Sequence, residues 1–269
     1  MALTNDKILA GFRPQTRIKK AVSGVLVAQR DFSFWYSVGR PGPAALCAAG
    51  VNGEALTSFA GQLPMNNPAA GVTTSRIGRL LASTAQAGTL RLLDRLWHNS
   101  GLSVTSTSLQ TLDSGTLNPR DDNGGANGVG VFAFIEVSAS LGAGAPVFTI
   151  TYTNSDGVPN RTAVNVIATA ASSLIGTMYE FGLQSGDVGI RKITGFQSNL
   201  SATSGSFSLV LAREIASVEI TSQLVNAIDF MTGGCPESFP DSVRMLAFTP
   251  TTTATTPLSA SLIDTVAAL

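Results

Sequence analysis

The residues of this sequence that could carry out chemistry are few and lie far apart. The 269-residue chain holds one histidine, His98, and two cysteines, Cys47 and Cys235. A serine hydrolase would need His98 as its only base, oriented by Asp94 or Asp113, and the G-x-S-x-G turn of many such enzymes is absent. We therefore expect His98 to be a structural residue that binds a loop carbonyl. We expect both cysteines to be buried free thiols.

An acidic loop is the candidate for a metal site. Asp121, Asp122 and Asn123 open the stretch DDNGGANG, and calcium prefers carboxylate and amide oxygens. The EF-hand spacing is not met, because Ala126 takes the sixth position and Phe132 the twelfth. Two readings stay open, a calcium ion in another geometry and a turn rich in Asx residues without metal; we favour the turn. One histidine and two distant cysteines do not make a zinc site, so no cofactor is predicted.

Two further chemistries have weak support in the sequence. Trp35 and Tyr36 are adjacent aromatic residues that could contact a sugar, although a core and interface role is commoner for such a pair. Any two of the 17 acidic residues could meet in space as the carboxylate pair of a glycosidase, but nothing in their spacing selects a pair. We therefore predict that the chain is not an enzyme.

Charge is scarce and unevenly distributed. Charged residues make up 13% of the chain, about half of the share in a typical soluble domain. We infer that other protein covers much of the surface. The first 30 residues carry six basic side chains and one acid, which predicts a basic arm that contacts an acidic partner, or else a solvated terminus. The arm contains the cations Lys7, Arg13, Arg17, Lys19 and Lys20.

No apolar run is long enough for a membrane helix, and the N-terminus lacks the pattern of a signal peptide. No membrane partner is therefore expected. The arm has one aromatic residue, Phe12, and the rest of the chain is acidic, so no nucleic-acid partner is expected either.

The secondary structure between these residues is predicted to be mostly β-strand. β-branched and aromatic residues alternate with polar ones between residues 128 and 213, and Gly, Ser, Asn and Asp punctuate the runs. The clearest local feature is a hairpin around Asn154–Gly157. The runs 76–86 and 88–98, which meet at Ala87–Gly88, are predicted as two strands joined by a hairpin turn at Gly88–Thr89, although their leucine and arginine content would also allow helix. A helical stripe and a Gly-Gly stop predict one helix over residues 217–234.

This pattern predicts an all-β fold, with a β-sandwich or jelly-roll-like body, an extended N-terminal arm and one short C-terminal helix. The predicted organisation is an arm over residues 1–21 and a β-rich body over 22–269. Within the body, residues 22–75 could form a subregion, 76–250 the sandwich, and 251–269 a threonine-rich tail that adds a further strand.

Five stretches carry a resemblance to a known group of proteins. They are DRLWHNSGL (94–102), NPRDDNGGANGVGV (118–131), TYTNSDGVPNRTA (151–163), GLQSGDVGIRKI (182–193) and SGSFSLVLARE (204–214). The series resembles structural proteins of tailed bacteriophages, in which a DRLWHN-like run precedes an acidic glycine-rich loop, a YTN hairpin and a GD-containing stretch. The likeness covers roughly residues 76–250 and brings no catalytic residues with it.

The resemblance implies a component of the virus particle, most specifically a cement or decoration protein of the capsid. Its expected partners are the major capsid protein and two further copies of itself in a homotrimer. It would be made in the bacterial host cytoplasm and reside on the capsid surface, with the arm cations against acidic shell. The alternatives are a tail, baseplate or glycan-contacting receptor-binding subunit, the major capsid protein, and a polysaccharide-degrading enzyme. The major capsid protein is disfavoured because no long spine helix is predicted.

Overall fold

The structure is a computed structural model that describes residues 4–22, 24–69, 73–221, 224–255 and 257–268, except for the side chain of Ala268. The described chain is almost entirely β, as predicted, with one short helix. The elements in chain order are α1 (Asn5–Ala10), β1 (Thr16–Lys20), β2 (Phe32–Ser33), β3 (Gly39–Arg40), β4 (Glu54–Ala55), β5 (Thr73–Ser83), β6 (Gly88–Asn99), β7 (Gln110–Thr111), β8 (Val131–Ala139), β9 (Phe148–Asn154), β10 (Arg161–Asn165), β11 (Met178–Gly182), β12 (Ile190–Ser198), β13 (Ser206–Ile220), β14 (Asn226–Asp229), β15 (Glu237–Ser238), β16 (Arg244–Pro250) and β17 (Leu258–Ala268).

The chain divides into two compact units, each with its own apolar core. The first unit comprises Met1–Ala44, Ser58–Asp94 and Glu214–Leu269, and the second comprises Ala45–Thr57 and Arg95–Arg213. Two boundaries between the units lie inside long strands. One falls between Asp94 and Arg95 in β6, and the other between Arg213 and Glu214 in β13. Among the described residues, no helix is long and apolar enough to cross a bilayer.

In the first unit, β17 is the central strand of an antiparallel sheet with the order β14-β5-β17-β1-β3. β17 pairs with β5 over ten residue pairs and with β1 over five. β16 pairs with the first part of β6 and with β2. Alternating side chains of these strands fill a core that includes Ile18, Leu80, Leu92, Phe248 and Leu262.

In the second unit, antiparallel pairing connects the strands in the order β13-β8-β11-β10-β9-β12-β7. Phe148, Phe196 and Phe207 pack in the core with ring centroids 5.2 Å apart in all three pairs. The predicted hairpin is confirmed, since β9 pairs with β10 and the N–H of Gly157 donates to the Asn154 carbonyl over 3.0 Å. Gly157 has a φ of 83°, which is the left-handed conformation that the turn needs.

The predicted C-terminal helix is wrong. Residues 217–220 continue β13 and 226–229 form β14, which pairs with the edge of β5. Two members of the predicted apolar stripe, Leu224 and Met231, are 62% and 68% exposed, whereas Ile220 and Ile228 pack on the core of the first unit, so the stripe does not form one buried helical face. The sheet edge offers hydrogen bonds along a whole strand, and this tertiary pairing outweighs local helix propensity. The one short helix among the described residues, α1, lies near the N-terminus, where the Thr4 hydroxyl caps it.

The runs around residues 76–86 and 88–98 are strands, as predicted, but the hairpin between them is wrong. β5 pairs with β14, β15 and β17, whereas β6 pairs with β16 and β4. Gly88 is needed for close approach rather than for a turn, because a Cβ there would lie 2.3 Å from the Thr249 carbonyl oxygen of β16. The prediction that the threonine-rich tail adds a strand is confirmed by β17.

The predicted extended N-terminal arm of residues 1–21 is wrong where Asn5–Ala10 form α1, and its second half is extended but paired within a sheet. Residues 16–20 form β1 inside the sheet, with Ile18 and Lys20 buried. The alternation of the strand explains this, because every second residue must face the core. Of the predicted arm cations, Arg17 and Lys19 therefore point to one face of the sheet and Lys20 to the other.

Candidate interaction surfaces

His98 is a structural residue, as predicted, and it is buried, with side chains bound at both of its ring nitrogens. The Arg95 guanidinium donates to Nδ1 over 3.1 Å, and Nε2 lies 3.2 Å from a carboxylate oxygen of Glu54. Burial, helped by the Arg95 charge, lowers the pKa of His98 to about 2. The imidazole is therefore neutral at physiological pH, with its proton on Nε2. These bonds occupy both ring nitrogens that a hydrolase would use.

Both cysteines are free and buried, as predicted. The Cys47 thiol donates to the Ser208 hydroxyl over 2.9 Å. Burial raises the pKa of Cys47, and burial likewise raises the pKa of Cys235. Both groups are held as thiols, whereas a reactive or metal-binding cysteine requires the thiolate.

Asp121 belongs to an Asx turn, the favoured alternative, and its carboxylate is fully engaged by the backbone of its own loop. It accepts from five N–H groups, those of Asn123 (3.0 Å), Gly125 (2.7 Å), Asn127 (3.1 Å), Gly128 (3.0 Å) and Val129 (3.4 Å). The positive ends of these dipoles surround a buried anion, which is the opposite of what a cation needs.

The proposed calcium ligands therefore do not converge. The Asp122 carboxylate lies beside Gly130 and 3.8 Å from the Arg213 guanidinium, while the Asn123 residue is exposed. Among the residues that the structure describes, no group of three or more His, Cys, Asp or Glu side chains could hold a metal ion.

Two of the motifs that carry the phage resemblance meet at Asp187. Its carboxylate accepts from the Tyr152 hydroxyl (2.5 Å), the Asn154 amide (2.8 Å) and the Arg161 guanidinium, which binds both oxygens at 2.9 Å. These bonds, that of Arg161 foremost, lower the pKa of Asp187 to about 2. The cluster fastens the β9–β10 hairpin to the segment before β12. The sequence places Asp187 in a different motif from its three partners, and only the fold brings the two motifs together.

The aromatic pair does not form a sugar platform. Trp35 is 2% exposed and stacks on Phe59 with ring centroids 5.4 Å apart. Tyr36 is half-buried. A sugar platform needs an open aromatic face, so Trp35 contributes to the core instead.

The predicted arm cations do not act as one set. Lys20 is 2% exposed, and its ammonium donates to the carbonyls of Ser37 and Gly42, both over 3.2 Å. Burial lowers the pKa of Lys20 to about 8. Arg17 and Lys19 alternate with it and are exposed on the outer face of the sheet, and Arg13 is exposed before the strand begins. Lys7 lies in α1.

Arg17 and Lys19 line a groove on the outer face of the first unit's sheet together with Arg40, a cation outside the predicted arm. The strand register places Arg40, Lys19, Ser259 and Ser83 in one cross-strand row. The groove has a volume of about 630 Å³. We call it the cationic groove and define it by Arg17, Lys19, Arg40, Ser83, Ser259 and Ser261.

The three cations of this groove are available to a partner. Within the described part of the chain, no carboxylate lies within ion-pair distance of Arg17, Lys19 or Arg40. Most other arginines have such a partner, as Arg91 does in Asp31 and Glu214. Arg40 could not be assigned to the groove from sequence, because its place next to Lys19 depends on pairing between segments about 20 residues apart.

Two adjacent cross-strand rows on the outer face of the second unit's sheet carry no charged side chain, whereas the next row holds Lys192, which lies opposite Thr153 and forms an ion pair with Asp113 over 2.8 Å. Strand register creates two cross-strand rows, Gly182–Val164–Thr149–Gln197 and Thr162–Thr151–Gly195–Thr111. The threonine and valine side chains in these rows are half-buried or exposed. We call these eight residues the threonine face. Its alternation was visible in Thr149, Thr151 and Thr153, but the neighbouring strands that widen it were not.

Comparisons with known proteins give limited likenesses. No protein-family model matches the sequence, and no curated protein matches it. The chain is similar to the VP2 subviral particle of infectious bursal disease virus, with 9% identity, 100% of this chain and 84% of that chain covered, and a TM-score of 0.20. It is also similar to a structure of the Gx strain of the same virus, with 9% identity, coverage of 96% and 82%, and a TM-score of 0.21. At these TM-scores the likeness carries no argument about function.

Proposed function

We propose that this chain is a structural subunit of a tailed-bacteriophage particle, specifically a decoration protein that binds and stabilises the shell of major capsid protein. In this proposal it acts as a homotrimer on the capsid surface and has no enzymatic activity. The motif resemblance supports the phage assignment. The threonine face is the structural observation that carries the proposal.

The threonine face suits burial against another protein. An exposed sheet face of a monomeric protein normally carries lysine and glutamate, which keep it in water. Both rows of the threonine face lack charge and offer hydroxyl and amide groups instead. Such groups exchange hydrogen bonds with a partner without the large cost of desolvating an ion. A repeated shell lattice would supply many such contacts at once, so weak single contacts add up through high effective concentration.

The buried polar residues support a structural role. Arg95 and Glu136 form an ion pair of 2.6 Å with both side chains fully buried, and Arg244 does the same with Asp264 over 2.5 Å. Asp121 binds backbone N–H groups of its own loop, and Asp187 binds side-chain donors of the β9–β10 hairpin. The ionisable residues at these positions hold the chain together, which is what a particle subunit requires.

The test measures binding to shells assembled without this chain. We expect the protein to occupy such shells in proportion to the major capsid protein. Thr151→Lys with Thr162→Lys should reduce occupancy at least tenfold, because two charges would have to lose water at the interface. The matched control is Thr116→Lys with Thr252→Lys, two exposed threonines outside the face, which should bind as the unmodified protein does.

Copy number separates the proposal from its main alternative. A calibrated stained gel of purified particles should show hundreds of copies for a decoration protein. A few to dozens of copies would assign the chain to the tail or baseplate instead. Unchanged occupancy of the Thr151 and Thr162 variant would contradict the role of the threonine face.

A further inference from the structure

We propose that the cationic groove binds an extended acidic segment of a partner polypeptide. The inference deepens the proposed function by naming the chemistry of the partner, and it rests on that function only for the source of the segment, a neighbouring particle subunit. It concerns a different unit and a different surface from the threonine face.

Charge is the first argument. Arg17, Lys19 and Arg40 project from adjacent strands onto one groove, and no described carboxylate neutralises them. Three like charges so close together repel one another, and a polyanionic ligand would relieve that repulsion. The hydroxyls of Ser83, Ser259 and Ser261 lie along the same groove and can donate to further carboxylate oxygens.

The backbone of β1 supplies the second argument. The Ala21 N–H donates to the Val38 carbonyl over 2.9 Å, on the side of β1 that faces β3. The N–H and carbonyl groups of every second residue in a strand point to the same side. Those of Lys19 and Arg17 therefore point to the same side as those of Ala21. β3 ends at Arg40, one residue before Pro41, and pairs only with Lys19 and Lys20. Among the described residues, the backbone of Arg17 has no strand partner there.

An extended polypeptide matches this open edge, because its own N–H and carbonyl groups could pair with Arg17 while alternate side chains enter the groove. The far wall is apolar, formed by Leu81 and by Val225, which is 63% exposed. Aliphatic side chains of the same segment would cover it. The described lining has no aromatic side chain on which a nucleic-acid base could stack.

The experiment uses the full chain and fluorescein-labelled probes in anisotropy titrations. The main probe is a ten-residue peptide of alternating Glu and Val, and its uncharged counterpart alternates Gln and Val. We expect the Glu peptide to bind at least tenfold more tightly than the Gln peptide. Affinity should fall as salt is raised, because screening weakens exposed charge pairs.

Charge reversal locates the site. Arg17→Glu with Arg40→Glu should weaken binding of the Glu peptide at least tenfold. The matched control, Arg13→Glu with Arg191→Glu, changes net charge equally at exposed positions outside the groove. Its affinity for the Glu peptide should stay within twofold of that of the unmodified protein. Thermal unfolding of both variants verifies that they fold. An equal loss of affinity in both double variants would show nonspecific electrostatic attraction and overturn the proposal.

Two further probes distinguish the class of ligand. If strand pairing occurs, methylating alternate backbone nitrogens of the Glu peptide should weaken its affinity at least fivefold. An unchanged affinity would refute the pairing. Tighter binding of a ten-nucleotide oligothymidine or of a sulfated oligosaccharide of equal charge would also overturn the inference. Because these titrations contain no particle, their failure is independent of shell occupancy, which tests the proposed function.

Discussion

Asp121, Asp187 and His98 lie in three different sequence motifs. The Asp121 carboxylate binds N–H groups of its own loop, whereas Asp187 and His98 bind side chains, including partners that are distant in the sequence. Asp121 collects backbone N–H groups, Asp187 collects side-chain donors, and His98 connects Arg95 with Glu54. Removing one partner from such a site leaves the others buried without hydrogen bonds, which costs more than the bond contributed.

The loop around Asp121 gives the first prediction. Asp121→Ala leaves five N–H groups without their acceptor, so we expect the free energy of unfolding to fall by about 3 kcal/mol. Urea denaturation measures this loss. Asn123→Ala, at an exposed side chain in the same loop, is the control and should change stability by less than about 0.5 kcal/mol. An equally small effect of Asp121→Ala would refute the structural role of its carboxylate.

Asp187 gives a pH-dependent prediction. Its pKa is about 2 in the folded chain and 3.8 in its ordinary state, so the unfolded chain binds the proton more readily. The stabilisation is therefore complete above about pH 4 and is lost as the pH falls through 2.

We expect Asp187→Asn to lower the urea midpoint at pH 6, with most of the difference gone at pH 2. Comparing the two proteins at each pH removes the contribution of His98, which both contain. A difference that stays constant from pH 6 to pH 2 would show that the Asp187 charge contributes nothing.

At the scale of single residues, the sequence predicts the role of some buried polar side chains and not of others. The structural role of His98 and the burial of the cysteines followed from their rarity and from the absence of partners for catalysis. The burial of Lys20 could not be predicted, since the strand sequence TRIKK places a cation on either face. Lysine is tolerated inside only where carbonyls accept from it, and those of Ser37 and Gly42 arrive through tertiary structure.

At the scale of elements, strands β8 to β12 were predictable and β14 was not. The first group alternates β-branched or aromatic residues with polar ones, and Asp156–Gly157 marks its turn. The stretch around Asn226–Asp229 has a helical stripe and becomes a strand because the edge of β5 lies open to it. Propensity describes a segment alone, whereas pairing depends on a neighbour far away in sequence.

The central position of β17 leads to a prediction about the threonine-rich tail. A chain that ends at Thr255 lacks the strand that joins β5 to β1, together with Leu258 and Leu262 of the core. We expect the first unit to lose its structure, seen as rapid proteolysis of residues 73–83 and reduced β signal in circular dichroism. The full-length variant Thr252→Ala, at an exposed position just before the deletion, should resist proteolysis. A truncated chain that stays resistant would contradict the central role of β17.

At the scale of the whole molecule, the two separate cores predict separate responses to damage. Leu209→Ala creates a cavity in the core of the second unit and Leu262→Ala one in the core of the first. We expect each to cost about 3 kcal/mol. In hydrogen exchange, each should reduce the protection of amides mainly within its own unit. Equal loss across both units for either variant would show that they unfold as one.

The two surfaces also belong to this scale, because each appears only after strands are assembled. Low charge in the composition predicted that neighbouring protein covers the chain, but the location of the charge-free area required the register of β10, β9 and β12. The cationic groove likewise required β3 beside β1. Composition indicates how much surface suits a partner, and topology determines where it lies.

The place of β17 between β1 and β5 has a consequence for synthesis. A ribosome releases β1 and β5 well before it reaches residues 258–268, so two strands of the first unit wait with open edges while most of the nascent chain is made. The second unit has all its strands by residue 213 and can fold in the meantime. In a cell that makes many copies at once, those waiting edges are where neighbouring nascent chains would pair wrongly, and where chaperones would have to bind.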